Sequence, residues 1–273
     1  MIRLIVNADD LGSGRATDRG IFHCFARGIL TSASLLANGY SFAEAAREAR
    51  TQALPLGVHF NLAEGQGLSG PIPGLTNAAG EFPGKASSRR ALLSGEIATA
   101  DLERELTAQI SRVFDAGLLP DHADAHQHVC LFGPAGPAMI RVLKQFGLHR
   151  VRLPMPAEPA DGDPGGELGR ELKLYRALAP NFQRISQAAG LSTPDALWGM
   201  PLLNRLDEHR LLALLDQLPL GTWELMVHPG HLDPLNPFSG PERVREQRAL
   251  CHPAVLRRIE ERGIKPINFG ELG

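Results

Sequence analysis

The chain has 273 residues, of which 43% are hydrophobic, so it can bury a sizeable core and has room for one or two domains. Its 28 basic and 30 acidic residues give a formal net charge of −2, which argues against a nucleic-acid-binding protein, because such proteins usually carry a basic excess. Three widely separated cysteines exclude a disulfide framework, and the N-terminus lacks the apolar run of a signal peptide or a membrane span. We therefore expect a soluble, cytoplasmic protein.

Apolar, β-branched runs alternate with amphipathic stretches along the whole chain. The apolar runs predict strands at residues 2–7, 31–37, 56–62, 123–125, 150–153, 223–227 and 266–269, with a weaker one at 195–198. Helical spacing predicts helices at residues 17–28, 41–50, 101–116, 137–146, 169–189, 207–217 and 241–263. Pro180 and Pro253 should interrupt two of these helices, and Ser41 and Glu44 stand at the spacing of a capping box.

This alternation predicts seven or eight βα units, which favour a parallel sheet covered by helices, and (β/α) barrels commonly reach this length as one domain. No composition boundary divides the sequence, so we expect a single barrel domain over residues 1–273. Two stretches rich in Gly and Pro, 65–85 and 154–169, predict long loops after strands, where such folds tend to carry their function.

Reactive side chains gather where the predicted strands end, and in a parallel barrel those ends converge on one mouth. The densest group is the HADAHQH sequence at residues 122–128. Alternate side chains of an extended segment point the same way, so His122, Asp124, His126 and His128 would share one face if the strand ran through. Imidazole and carboxylate ligands suit several divalent metals. The alternative is a polar loop or a set of structural histidines.

Asp9 and Asp10 follow the first predicted strand as adjacent like charges, which need a compensating cation or hydrogen-bond donor. A metal could take one carboxylate and leave the other as a proton acceptor, whereas the alternative is a surface turn. His59 lies inside the third predicted strand, where each ring nitrogen would need a partner. Together with His126 it could complete an open catalytic site with three protein ligands.

His228 stands in a His-Pro-Gly sequence after a predicted strand. It could act as a general acid or base at the mouth, or be incidental to a Pro-Gly turn. The candidates for substrate contact at the same mouth are Asn61, Asp124, His128 and Arg152, although Arg152 could equally form a structural ion pair. The sequence contains no GxGxxG, GxxxxGK[ST] or GxSxG pattern, which weakens dinucleotide, P-loop and serine-hydrolase interpretations.

Several of these segments, in the same order, resemble the YdjC-like carbohydrate deacetylase family, which includes chitooligosaccharide deacetylase. They are NADDLG at 7–12, GILTSAS at 28–34, GVHFNLAEG at 57–65, HADAHQHV at 122–129, VRLP at 151–154, HPG at 228–230 and EQRALCHP at 246–253. The resemblance runs from Ile5 to Phe269. This chain departs from the family pattern at Leu11 in place of Phe, at Ala125 in place of Gly or Ser, and at Cys130 in place of the last His of HxDGHQHVH.

The resemblance implies a distorted (β/α) barrel of the polysaccharide-deacetylase type and a divalent metal, Mg or Zn, held by Asp10, His59 and His126. It implies that Asp9 is the general base, and we assign His228 as the acid that protonates the leaving amine. The expected reaction is removal of an acetyl group from an N-acetylated sugar. The same resemblance implies a homodimer, and the net charge of −2 argues against nucleic-acid partners.

Two alternatives stay open at this point. A different metal-dependent barrel hydrolase, such as a phosphoesterase or amidohydrolase, usually carries an H-x-H sequence on its first strand, where this chain has Asp9 and Asp10. A non-catalytic sugar-binding protein with a vestigial metal site is the second alternative. The complete set of candidate side chains argues against it, because a degenerate site tends to lose members.

Overall fold

Seven strands and nine longer helices alternate in the computed structural model, which describes residues 1–234, 236 and 238–272. The strands are β1 (Ile2–Leu11), β2 (Ser32–Leu35), β3 (Leu56–Phe60), β4 (His122–Ala125), β5 (Leu197–Trp198), β6 (Gly221–Val227) and β7 (Ile264–Pro266). The helices are α1 (Arg15–Arg27), α2 (Phe42–Thr51), α3 (Lys85–Ser94), α4 (Thr99–Asp115), α5 (Ala135–Gln145), α6 (Gly166–Ala188), α7 (Glu208–Gln217), α8 (Pro241–Leu250) and α9 (Pro253–Glu261).

All the strands are parallel and form one sheet in the order β4-β3-β2-β1-β6-β5. β1 pairs with β6 along one edge, and with β7 followed by β2 along the other. Parallel bridges Ala123–Val151 and Pro156–Leu197 carry the pairing from β4 through residues 150–156 to β5. The sheet therefore curls into the expected distorted (β/α) barrel.

The side chains of β1 separate the apolar core from the interior of the barrel. Strand residues alternate in direction, so Ile5, Asn7 and Asp9 share the inward face. Ile5 packs with Ile267, Phe269 and Leu272 in a small buried cluster, whereas Asn7 donates a hydrogen bond to Asp9 Oδ1 at 2.9 Å. The residues of β1 that point outward, Leu4, Val6 and Ala8, belong to the main core. The barrel is thus closed by apolar side chains at one end and polar towards the other.

Three local predictions were wrong. Residues 150–153 form isolated bridges instead of a strand, since Pro154 and Pro156 lack the N–H groups that a longer ladder needs. Pro180 does not interrupt α6, because it lies on the exposed face, where water can satisfy the freed carbonyl, while buried residues such as Tyr175 and Phe182 anchor the helix.

The third wrong prediction was the capping box at the start of α2. Ser41 stands at the N-cap but caps no backbone N–H, because its hydroxyl donates to Asp18 Oδ2 at 2.5 Å. Glu44 instead accepts two hydrogen bonds from Arg15. The predicted interruption at Pro253 is confirmed, since it opens α9. Within the described ranges, no helix is both long and apolar enough to cross a membrane.

Candidate metal centre

The carboxyl ends of β1, β3, β4 and β6 meet at a cavity of about 440 Å³. Seven of the predicted site residues line it: Asp9, Asp10, His59, Asn61, His126, His128 and His228. This volume lies within the range of small-ligand pockets. The structure therefore brings together side chains that are up to 219 positions apart, as Asp9 and His228 are.

Asp10, His59 and His126 point three ligand atoms at one another. Asp10 Oδ1 lies 2.9 Å from His126 Nδ1 and 3.3 Å from His59 Nε2, and the two nitrogens are 3.3 Å apart. Ligands at about 2.0–2.1 Å from a zinc ion, in tetrahedral or facial octahedral geometry, are separated by roughly 2.9–3.4 Å. The triangle therefore has the dimensions of a metal-binding face.

The chemistry of the three groups also fits a cation. Asp10 Oδ1 is buried and accepts no well-directed hydrogen bond in the described part of the chain. His59 Nδ1 donates to Asp124 Oδ1 at 2.8 Å, which leaves Nε2 on the side of Asp10, where it can bind a metal ion once it has lost its proton. A carboxylate behind a histidine is the usual device that orients a metal ligand.

Negative charge is in excess around this triangle. Burial opposes ionisation of Asp10, yet His126 and His59 hold the pKa of that carboxyl well below its usual range. Burial likewise opposes protonation of His59, but Asp124 and Asp10 outweigh it and raise the pKa of that imidazole to about 10. The pKa of His126 rises to about 9 against burial, because of Asp10 and Glu64. The site needs positive charge, which either protons or a metal ion can supply.

The backbone at Asp10 explains how two adjacent acids can face one cavity. A regular strand would direct Asp9 and Asp10 to opposite faces. The pairing of β1 with β2 is instead irregular between Ala8 and Leu11, and Asp10 adopts a left-handed φ of 68°. Such a conformation costs about 1–3 kcal/mol at a non-glycine residue. Asp18 helps to hold it, since its Oδ1 accepts a hydrogen bond from the N–H of Gly12 at 2.7 Å.

Arg152 connects the buried carboxylates behind the cavity wall. Its guanidinium donates to both oxygens of Asp9 at 2.6 and 2.7 Å, and it also contacts Asp124 and Glu224 at 2.6 Å. Only 1% of Arg152 and of Asp124 is exposed, and neither lines the cavity. Of the four residues predicted to touch substrate, Asp124 and Arg152 therefore contact other protein side chains, and the geometry supports the alternative of a structural ion pair for Arg152.

His228 lines the same cavity, with its Nε2 3.9 Å from Asp9 Oδ2. Its backbone is held on both sides, because its N–H donates to Glu246 Oε1 at 2.7 Å and its carbonyl accepts from Arg243. Burial is the main cause that lowers the pKa of His228 to about 4. The imidazole is therefore neutral at pH 7 in the resting site.

The strand does not run through the whole HADAHQH segment, so the condition under which His122, Asp124, His126 and His128 would share one face is not met. β4 ends at Ala125, and the chain turns into a short 3₁₀ helix in which His128 has a left-handed φ of 54°. His128 then packs edge-on against Tyr175, at 5.0 Å between ring centroids. His122 stacks on Phe269 at 3.7 Å and does not line the cavity.

Asn61 shapes the loop after β3. Its Oδ1 accepts hydrogen bonds from the N–H groups of Ala63 and Glu64, and its Nδ2 donates to Asn38. Glu64, in the same loop, contacts one of the three candidate metal ligands, because its Oε2 lies 3.6 Å from His126 Nε2.

Sequence reasoning did not assign a role to Glu64 or Glu224. Glu224 is a fully buried charge inside the apolar β6, and such a residue requires a charged partner. An acidic residue within a predicted apolar strand could therefore have been recognised as one half of an ion pair. Its partner, Arg152, is known only from the fold.

Comparisons with known proteins agree with this architecture. The sequence pattern of the YdjC-like protein family matches residues 3–261. A mouse protein named carbohydrate deacetylase is 33% identical over 303 residues, covering 99% of this chain and 95% of the mouse protein. A Yersinia enterocolitica protein named chitooligosaccharide deacetylase is 30% identical, covering 96% of each chain.

Among solved structures, a proposed cellobiose-phosphate cleavage protein from Enterococcus faecalis V583 superposes with a TM-score of 0.78 at 25% identity, covering 100% of this chain and 99% of that one. The match therefore extends over the whole barrel as well as over the sequence. This chain belongs to the YdjC-like protein family.

Proposed function

We propose that this chain is a metal-dependent carbohydrate N-deacetylase. It hydrolyses the acetamide of an N-acetylated sugar, a chitooligosaccharide or a related glycan, to acetate and a free amine. The observation that carries the proposal is the triangle of Asp10 Oδ1, His59 Nε2 and His126 Nδ1, with edges of 2.9–3.3 Å, beside the second carboxylate of Asp9. The relatives named carbohydrate deacetylase and chitooligosaccharide deacetylase support the choice of substrate class.

Asp10, His59 and His126 are the residues that would hold the metal. A divalent cation there would polarise the amide carbonyl and lower the pKa of water. Mg and Zn are the two candidates, and the pair of imidazoles favours Zn, because Mg prefers oxygen ligands.

In this proposal Asp9 acts as the general base. Asp9 lines the same cavity as Asp10, His59 and His126, and one of its carboxylate oxygens lies within 4.8 Å of a ring nitrogen of His59. Arg152 and Asn7 orient its carboxylate through three hydrogen bonds. Asp9 therefore removes the proton of the attacking water without first having to reorient.

His228 returns that proton to the leaving nitrogen. Because burial keeps the imidazole neutral at pH 7, it first has to gain a proton, and Asp9, whose Oδ2 lies 3.9 Å from His228 Nε2, supplies it after taking one from water. The proton lost by water thus ends on the amine, the C–N bond breaks, and acetate and an amino sugar are released.

The charge of the cavity favours a neutral substrate over a phosphate ester. Its described lining contains the carboxylates of Asp9, Asp10, Glu64 and Glu171 but, apart from histidines, only one basic side chain, Lys85, which pairs with Glu171 at 2.5 Å. A phosphate group would meet repulsion from these carboxylates, and we therefore place the phosphoesterase alternative second.

Release of acetate from N,N′-diacetylchitobiose, with and without a chelator, tests the proposal. We expect the zinc-loaded protein to release acetate and the chelated protein to release none. His126→Ala should lose the metal as judged by elemental analysis of the purified protein. Activity that survives complete metal removal would refute the metal-dependent reaction, and unchanged metal occupancy in His126→Ala would remove that residue from the ligand set.

A further inference from the structure

Three aromatic residues other than histidine line the cavity: Tyr40, Tyr175 and Phe238. Two of them already have ring partners, since Tyr175 packs against His128 at 5.0 Å and Phe238 against His228 at 5.6 Å. In the ranges that the structure describes, Tyr40 has neither a ring partner nor a hydrogen bond to its hydroxyl. The exposed fraction of Tyr40 is 88%, against 4% for Tyr175.

The backbone beneath Tyr40 is nevertheless fixed on both sides. The N–H of Ser41 donates to the carbonyl of Gly12 at 2.9 Å, and the N–H of Phe42 donates to the carbonyl of Gly39 at 3.2 Å. Gly39 packs so closely on Gly12 that a Cβ there would lie 2.2 Å from its carbonyl oxygen. An exposed side chain on a rigid base loses little conformational entropy when a ligand covers it, because tyrosine has only two side-chain torsions.

The same turn carries the metal-ligand carboxylate. Gly12 lies two residues after Asp10, and the N–H of Ser13 donates to the carbonyl of Asp10 at 3.1 Å. Tyr40 is thus tied through Gly12 to the segment that positions Asp10, and it extends from that segment to the exposed rim of the cavity. Asp10 and Tyr40 both line this cavity, so a substrate that is longer than one ring and has its acetamide at Asp10 would extend along the lining to which Tyr40 belongs.

We propose that Tyr40 is a stacking platform for a second sugar ring, so that this site selects N-acetylated oligosaccharides over the single sugar. This proposal rests on the deacetylase function proposed above. A pyranose ring presents C–H groups on its face and hydroxyls at its edge, which matches the apolar face and polar tip of tyrosine. Stacking contacts of this kind contribute binding energy to substrates that have the second ring and none to N-acetylglucosamine.

The test compares kcat/KM for N,N′-diacetylchitobiose with kcat/KM for N-acetylglucosamine in the zinc-loaded protein. We expect Tyr40→Ala to lower the ratio of the two values roughly two- to tenfold, and Tyr40→Phe to keep it, because the ring and not the hydroxyl makes the contact. Leu119→Ala is the matched control, since Leu119 is 85% exposed and lies outside the cavity lining.

An unchanged ratio in Tyr40→Ala, or the same fall in Leu119→Ala, would overturn the proposal. Calorimetric binding of triacetylchitotriose to the Asp9→Asn protein, with and without Tyr40→Ala, keeps the proposal separate from the deacetylase function. If the unsubstituted protein releases no acetate from any of these sugars, the deacetylase function fails. Weaker binding of the trisaccharide on loss of Tyr40 would still support the platform, and equal binding would refute it.

Discussion

Replacement of Asp124 by Asn tests whether the carboxylate behind His59 prepares that imidazole for a metal. Asp124 Oδ1 accepts from His59 Nδ1 at 2.8 Å, while its Oδ2 contacts Arg152 at 2.6 Å and accepts from Ser34 at 3.0 Å. An amide keeps the shape but has a single carbonyl oxygen, which can serve His59 or Arg152 but not both. We expect the affinity for zinc to fall about 10- to 100-fold, or ~1.4–2.7 kcal/mol, which is usual for loss of a carboxylate that orients a ligand.

Calorimetric titration of the metal-free protein with Zn²⁺ at pH 7 measures this change, and thermal unfolding of the same samples reports any loss of fold. Asp121→Asn is the matched control. Asp121 Oδ1 contacts His122 Nδ1 at 2.6 Å, so the same kind of pair is altered, but neither residue lines the cavity. Unchanged zinc affinity in Asp124→Asn, or an equal fall in Asp121→Asn, would refute the reasoning.

Three further changes have defined outcomes. Asp9→Asn should lower kcat about 10²- to 10⁴-fold and leave zinc binding intact, because Asp9 is assigned to proton transfer and not to the metal. Acetate release measures the first effect and zinc titration the second. Full activity would exclude Asp9 as the base. Burial raises the pKa of Asp18 to about 6, so the native state binds more protons than the unfolded state between about pH 4 and 6, and the contribution of Asp18 to stability falls as the pH rises through that window. Urea unfolding from pH 4 to 7 should therefore show wild-type stability falling relative to Asp18→Asn by up to ~3 kcal/mol, and parallel curves would contradict this. Gly20→Ala should lower the free energy of unfolding by about 1–3 kcal/mol, because the new Cβ would lie 2.4 Å from Gly230 Cα. Gly162→Ala is the control, since a Cβ at Gly162 meets no atom within 4 Å. Similar melting temperatures for the two variants would show that the contact between α1 and Gly230 is not tight.

The elements that the sequence predicted well are those specified by local patterns. The buried runs of β1, β3 and β6 and the amphipathic stripes of α4 and α7 were all found within a few residues of their bounds, because burial on one face or two leaves a periodicity in the sequence. Errors came where a distant contact overrode the local pattern, as at Pro180, where packing of α6 outweighs a lost hydrogen bond.

In the candidate site, too, some residues could be predicted from local patterns and others could not. Asp10, His59 and His126 were predicted as a group because they lie on or after predicted strands and match a family pattern, and the fold brings their N and O atoms within 3.3 Å of one another. The position of Arg152 was not predictable, because it depends on Asp9, which is 143 residues away. The same holds for Tyr40, which differs from the other tyrosine only in what surrounds it.

By itself, the sequence determined the alternation of strands and helices, the family and the set of reactive side chains, since each depends on residue identity and on local spacing. Only the tertiary structure decided which acid faces the histidines, which carboxylates Arg152 neutralises and which aromatic ring stays uncovered at the rim. The physical reason is that these properties arise from a left-handed turn at Asp10 and from contacts between segments that only the closed barrel brings together.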